Sequence, residues 1–157
     1  MNRQIYFCKS WFRAKKKPTE IWSKEQAELA HTNKKTYTVL VDSVSQPYCF
    51  LDISDKVIGV GFLDENLRVS LTYAFQEFEP EMLFLTTAIY REFDGESDKV
   101  ISGASYLFDR SGGVVIRKES FNPHKLEIAN SHIDVSSNYS RVPSFGDYDE
   151  LIRVERG

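Results

Sequence analysis

The sequence predicts a mainly β fold with one short helix (α+β): a curved antiparallel sheet, barrel or sandwich built on an up-and-down meander. Three observations predict it. Leu67, Val69, Leu71, Tyr73 and Phe75 alternate with Arg68, Ser70, Thr72, Ala74 and Gln76, the period of a half-buried strand. The runs that follow, Met82 to Phe93, Val100 to Phe108 and Val114 to Phe121, are divided by Asp94-Gly95-Glu96-Ser97 and Ser111-Gly112-Gly113. Glycine supplies positive φ in such turns without steric cost. Aromatic residues reach 13% of the chain, with 11 Phe and 8 Tyr, and such rings pair well across strands.

The elements follow in chain order. Residues 3–13 place Ile5, Phe7 and Trp11 against Tyr6, Cys8 and Phe12. Both faces are apolar, as in a strand buried on two sides or at a sheet junction. Ala14-Lys15-Lys16-Lys17-Pro18 reads as a solvated loop, with contact to phosphate or an acidic partner as the other reading. Ser23-Lys24-Glu25-Gln26 fits a capping box, and the helix it opens ends near Asn33. A helix this short must pack on the sheet, through Ala27, Ala30 and Trp22. Thr36 to Val41, Tyr48 to Ile53 and Val57 to Leu63 read as strands leading into the meander. Between the first two meander runs, Pro80 in Glu77 to Glu81 forbids a ladder bond. Past Phe121, Asn122-Pro123-His124 turns the chain, and Lys125 to Val135 reads as a further strand. Its candidate core residues are Leu126, Ile128 and Ile133. Ser136 to Ser140 reads as loop, Pro143 to Glu150 as irregular, and Leu151 to Val154 as a last short element. The total is roughly eight or nine short strands. With no repeat or linker, residues 1–157 form one domain.

Composition narrows the function classes. Hydrophobic content of 41% and charged content of 27% are ordinary for a globular chain. The N-terminal stretch has no apolar core of signal-peptide length, and no run approaches the roughly 18 apolar residues that span a bilayer. A cytoplasmic protein without membrane contact is expected. Cys8 and Cys49 are far apart and read as reduced core residues. No His stands at ligand spacing from either, so neither metal nor cofactor is expected. The net charge of −3 is unevenly spread: residues 1–35 carry nine Lys/Arg against three Glu, residues 36–100 four against twelve acids.

No set of residues for turnover stands out, and the chain is not expected to be an enzyme. Gly59-Val60-Gly61 lacks the third glycine and following helix of a dinucleotide fingerprint and reads as a bend. His132 and Asp134 share a strand face, yet no nucleophile accompanies them. His31 and His124 sit at a helix end and a turn. The acids are more informative. Glu77, Glu79 and Glu81 crowd one turn and Asp94, Glu96 and Asp98 the next. Successive turns of a meander lie at opposite ends, which argues against a paired-carboxylate site. A calcium loop signature is missing. Near the end, Asp147, Tyr148, Asp149 and Glu150 join acids to aromatics, the chemistry of protein–protein hot spots. The competing reading packs Phe145 and Tyr148 onto the sheet. The candidate partner-binding residues are therefore Asp147, Tyr148, Asp149, Glu150, Glu77, Glu79 and Glu81.

Leu83 to Phe93, Tyr106-Leu107-Phe108 before Gly112-Gly113, and Phe145-Gly146-Asp147-Tyr148-Asp149 give a profile that resembles the small immunity proteins of bacterial polymorphic-toxin and contact-dependent growth inhibition systems. The resemblance implies a protein that binds one delivered toxin and blocks it. Many such toxins are nucleases with cationic grooves, for which an acidic surface is the complement. Two alternatives stand beside it. One is a small-ligand β-barrel with Tyr73, Phe75, Tyr90 and Tyr106 inside. The other is a single-stranded nucleic-acid binder using Lys15–Lys17, which the net negative charge makes unlikely.

Overall fold

The alternation that begins near residue 67 becomes a succession of antiparallel hairpins. The computed structural model describes residues 3–156. Its elements are β1 (Ile5–Cys8), β2 (Trp11–Phe12), β3 (Lys17–Pro18), β4 (Ile21–Trp22), α1 (Lys24–Thr32), β5 (Tyr37–Val41), β6 (Cys49–Ile53), β7 (Val57–Leu63), β8 (Val69–Glu79), β9 (Met82–Phe93), β10 (Val100–Phe108), β11 (Gly113–Ser120), β12 (Lys125–His132) and β13 (Tyr139–Arg141). A 3-10 turn at Ser136–Asn138 precedes β13. The main sheet runs β12-β11-β10-β9-β8-β7-β6-β5-β1-β4. From β5 to β12 each strand pairs with its sequence neighbour, the outcome that short turns between strands favour. β13 takes the edge of β9 at Met82–Phe84, where β10, paired only with Thr87 to Phe93, no longer reaches.

The end strands β12 and β4 do not meet. The sheet is open, which corrects the barrel alternative and the ligand cavity that depended on it. Tyr73 and Phe75 are buried, while Tyr90 stands 43% exposed.

Two layers of cover make the core. On one face Phe7, Val39, Leu51, Val60 and Phe75 pack with Ala27 and Ala30 of α1 and with Tyr148, Leu151 and Ile152 from the C-terminal segment. α1 starts as its capping box dictates. Ser23 Oγ accepts from the Gln26 N–H at 3.1 Å, and Gln26 Oε1 accepts from the Ser23 N–H at 2.8 Å. On the other face the β2–β3 hairpin folds over, and Trp11 joins Cys8, Leu40 and Phe50 in a smaller cluster. β5 lies between the two layers and is buried at all five positions. Cys8 and Cys49 are buried and unpaired. Burial, then the charge of Asp52, pushes the Cys8 thiol up to about 12.

Gly61 is placed by packing rather than by a bend. It faces Phe50 across the β6–β7 pair, and a Cβ there would fall on the Phe50 ring. A register shift at Leu63/Val69 puts Val69 against the Phe50 cluster, the effect of one extra residue on a period-two strand.

Beyond β9 the sheet outgrows its cover. Leu126, Ile128 and Ile133, expected in the core, are 40%, 62% and 40% exposed. β12 is an edge strand exposed along its whole length, because neither α1 nor the C-terminal segment reaches it. The N–H of Ile133 donates to the Gly112 carbonyl at 2.8 Å just past the end of the β11–β12 ladder. Ladder bonds alternate, so Lys125, Glu127, Ala129 and Ser131 bond inward to β11. Leu126, Ile128 and Asn130 turn their backbone groups outward. The expected last element, Leu151 to Val154, is not a regular element: Leu151 and Ile152 form a buried turn, and Val154 is an exposed bend.

Candidate functional site

After Arg141 the chain forms a strap over the first face of the sheet. Its apolar residues point inward. Phe145 stacks on Phe7 with centroids 5.1 Å apart, and Tyr148, Leu151 and Ile152 are buried. The Tyr148 and Tyr37 hydroxyls share a hydrogen bond at 2.8 Å. His31 Nδ1 lies 2.8 Å from the same Tyr37 oxygen. Burial, the leading cause, raises both tyrosine pKa values, that of Tyr37 well above the ordinary phenol range. The far end of the strap is also fixed. Tyr73 donates its hydroxyl to the Val154 carbonyl. Arg156 donates to Ser140 Oγ at 2.7 Å and to the Glu150 carbonyl at 3.0 Å. Its guanidinium lies 5.0 Å from the Phe75 ring centroid. Both ends of the segment thus meet near residues 140 and 156, the geometry of a compact surface loop packed by its own side chains.

The acids of the strap point the other way. Asp147, Asp149, Glu150 and Glu155 are exposed and line one open depression of about 670 Å³, together with Arg3, Tyr48 and Arg153. Arg3 is already engaged: it pairs with Asp42 at 2.6 Å and covers the Tyr48 ring at 4.0 Å. Among the described residues, none of the four strap carboxylates forms an ion pair. Tyr148 is the correction here. At 2% exposure it anchors the segment from beneath and presents no surface to a partner. The tight Tyr148–Leu151 turn, closed by a 3.0 Å backbone bond, buries this ring while its acidic neighbours stay in water.

Glu77, Glu79 and Glu81 lie elsewhere. The Glu77 N–H donates to the Lys56 carbonyl at 2.8 Å, which places this turn beside the β6–β7 turn. Tyr48, in the strap's depression, stands at the opposite end of β6. Glu77 lines a cavity of about 160 Å³ with Lys34, Lys35 and Lys56, so lysines offset the charge there. Glu79 and Glu81 are exposed. The third acidic turn is tied internally: Lys16 pairs with Asp98 at 2.8 Å, and Arg68 donates to the Gly95 and Ser97 carbonyls. The structure therefore gathers Asp147, Asp149 and Glu150 and adds Glu155, but it does not bring the Glu77 turn to them.

No protein-family model, curated protein or solved structure matches the chain. His132 and Asp134 do not converge; the Asp134 carboxylate accepts from the Ser136 N–H at 2.9 Å, which holds its pKa below the usual carboxylate range. His124 contacts Glu119 at 2.7 Å. Among the described residues, no three His, Cys, Asp or Glu side chains cluster as metal ligands. No described helix is long and apolar enough to cross a membrane.

Proposed function

We propose that the protein is an immunity protein that neutralises a cognate delivered toxin by occupying it, and that the strap is the contact. The observation that carries this reading is the set of four carboxylates, without an ion pair among the described residues, held on a segment whose own apolar residues fix it to the core. A charged surface whose backbone is already anchored loses little backbone freedom on binding. It also steers a cationic partner, such as the groove of a nuclease, before contact.

The test is copurification with the toxin domain encoded by the adjacent gene. A complex of nanomolar affinity or tighter is expected. The double substitution Asp147→Lys, Asp149→Lys should slow association about tenfold or more at low salt, and the difference should shrink as salt rises. Glu79→Lys with Glu81→Lys serves as the comparison and should change little. Unchanged binding after both double reversals would remove the acidic surface from the account.

A further inference from the structure

The other face of the sheet carries a feature of opposite sign. The β2–β3 hairpin leans across that face, where Lys16 donates to the Asn66 carbonyl at 3.0 Å and to Asp98 at 2.8 Å. Between hairpin and sheet lies a cavity of about 300 Å³ lined by Arg13, Lys16, Arg68, Arg91, Phe93 and Asp98. A second cavity, of about 290 Å³, shares Arg91 with it and adds Arg117. The acids nearby are engaged. Asp98 holds Lys16 and Asp64 holds Arg68 at 2.8 Å, and Glu119 is bonded to His124. Asp52, behind the hairpin, accepts from the Thr38 hydroxyl at 2.9 Å.

Arg13, Arg91 and Arg117 form no ion pair among the described residues. The half-buried Arg91 makes one side-chain hydrogen bond, to the neutral Thr72 hydroxyl at 3.1 Å. Burial and then the charge of Arg13 lower its pKa. Arg13 and Arg91 thus line one cavity without an ion pair of their own among the described residues, while Asp98 on its wall is taken by Lys16, Glu119 stands on the wall of the second cavity, and Asp52 lies close enough to Arg13 for their charges to interact.

We propose that the two adjoining cavities form one phosphate-binding site, with Arg13 and Arg91 as its forks and Arg117 at its far side. A phosphate monoester carries up to two charges and three free oxygens, enough for two forks at once, whereas a carboxylate offers one charge and two oxygens. The phosphate belongs either to a small molecule or to the backbone of a single-stranded nucleic acid, whose bases would lie near Phe93 and Phe121. The site lies on the face away from the strap and does not depend on the toxin reading.

Calorimetric titration of the full chain with inorganic pyrophosphate, a short oligothymidylate and a glutamate hexapeptide tests this. Pyrophosphate should bind, and Arg13→Gln and Arg91→Gln should each weaken it about tenfold. Arg141→Gln, outside both cavities, should leave it unchanged. A small-molecule source predicts that the oligothymidylate binds no tighter than pyrophosphate. A nucleic-acid source predicts tighter binding that falls steeply with salt. Arg13 is exposed on the hairpin, so its variant stays folded even where Arg91→Gln does not. The proposal is overturned if neither phosphate ligand binds, if the hexapeptide binds as tightly, or if affinity is indifferent to Arg13→Gln.

Discussion

Alanine at position 61 is expected to destabilise the protein by about 1–3 kcal/mol, the range for overpacking a filled core. The added methyl would meet the Phe50 ring, which is 1% exposed and stacks on Trp11 at 6.1 Å. Urea denaturation should show the midpoint falling with little change in slope. Gly59→Ala is the internal comparison, since a Cβ there meets nothing within 4 Å. It should be neutral or slightly stabilising, because alanine has less backbone freedom to lose. Pairing Gly61→Ala with Phe50→Leu should recover part of the loss, because the two side chains share one space. Equal effects at positions 59 and 61 would show that backbone conformation, not the ring, selects glycine.

Tyr148→Ala should be the more damaging change, at about 3–5 kcal/mol. It removes a buried ring at the centre of the strap and leaves the Tyr37 hydroxyl without its 2.8 Å partner. Tyr148→Phe keeps the ring and should cost about 1 kcal/mol, because Tyr37 retains His31. The two variants also separate anchoring from contact. Tyr148→Ala should raise hydrogen exchange along residues 147–154 and weaken toxin binding with all four carboxylates still present. Tyr148→Phe should leave affinity near that of the parent protein. A strap that stays protected in the alanine variant would mean that Leu151, Ile152 and Arg156 hold it unaided.

These two residues also show what the sequence could and could not reveal. The meander was legible because alternation and turn glycines are local signals, and the helix was legible because Ser23 and Gln26 stand at capping distance. Cover is not local. Leu126 and Ile128 alternate as a half-buried strand should, yet whether a layer lies above them depends on how far α1 and the strap extend. At Tyr148 the acidic neighbours suggested exposure, but a tight turn lets adjacent residues face opposite ways. The competing reading, with Phe145 and Tyr148 packed on the sheet, described the anchor. The meeting of Arg13 with Arg91 left no trace in either segment, since it arises only when the hairpin folds back across the sheet.

The outward amides of β12 have a consequence of their own. Every second residue along that margin donates nothing to its neighbour in the sheet, so its N–H is free of any structural duty. Proline at Ile128 or Asn130 would delete an amide that the ladder does not use, while proline at Glu127 or Ala129 would sever it. The last strand is thereby a boundary with a two-residue rhythm of tolerance, able to change at alternate positions while staying attached.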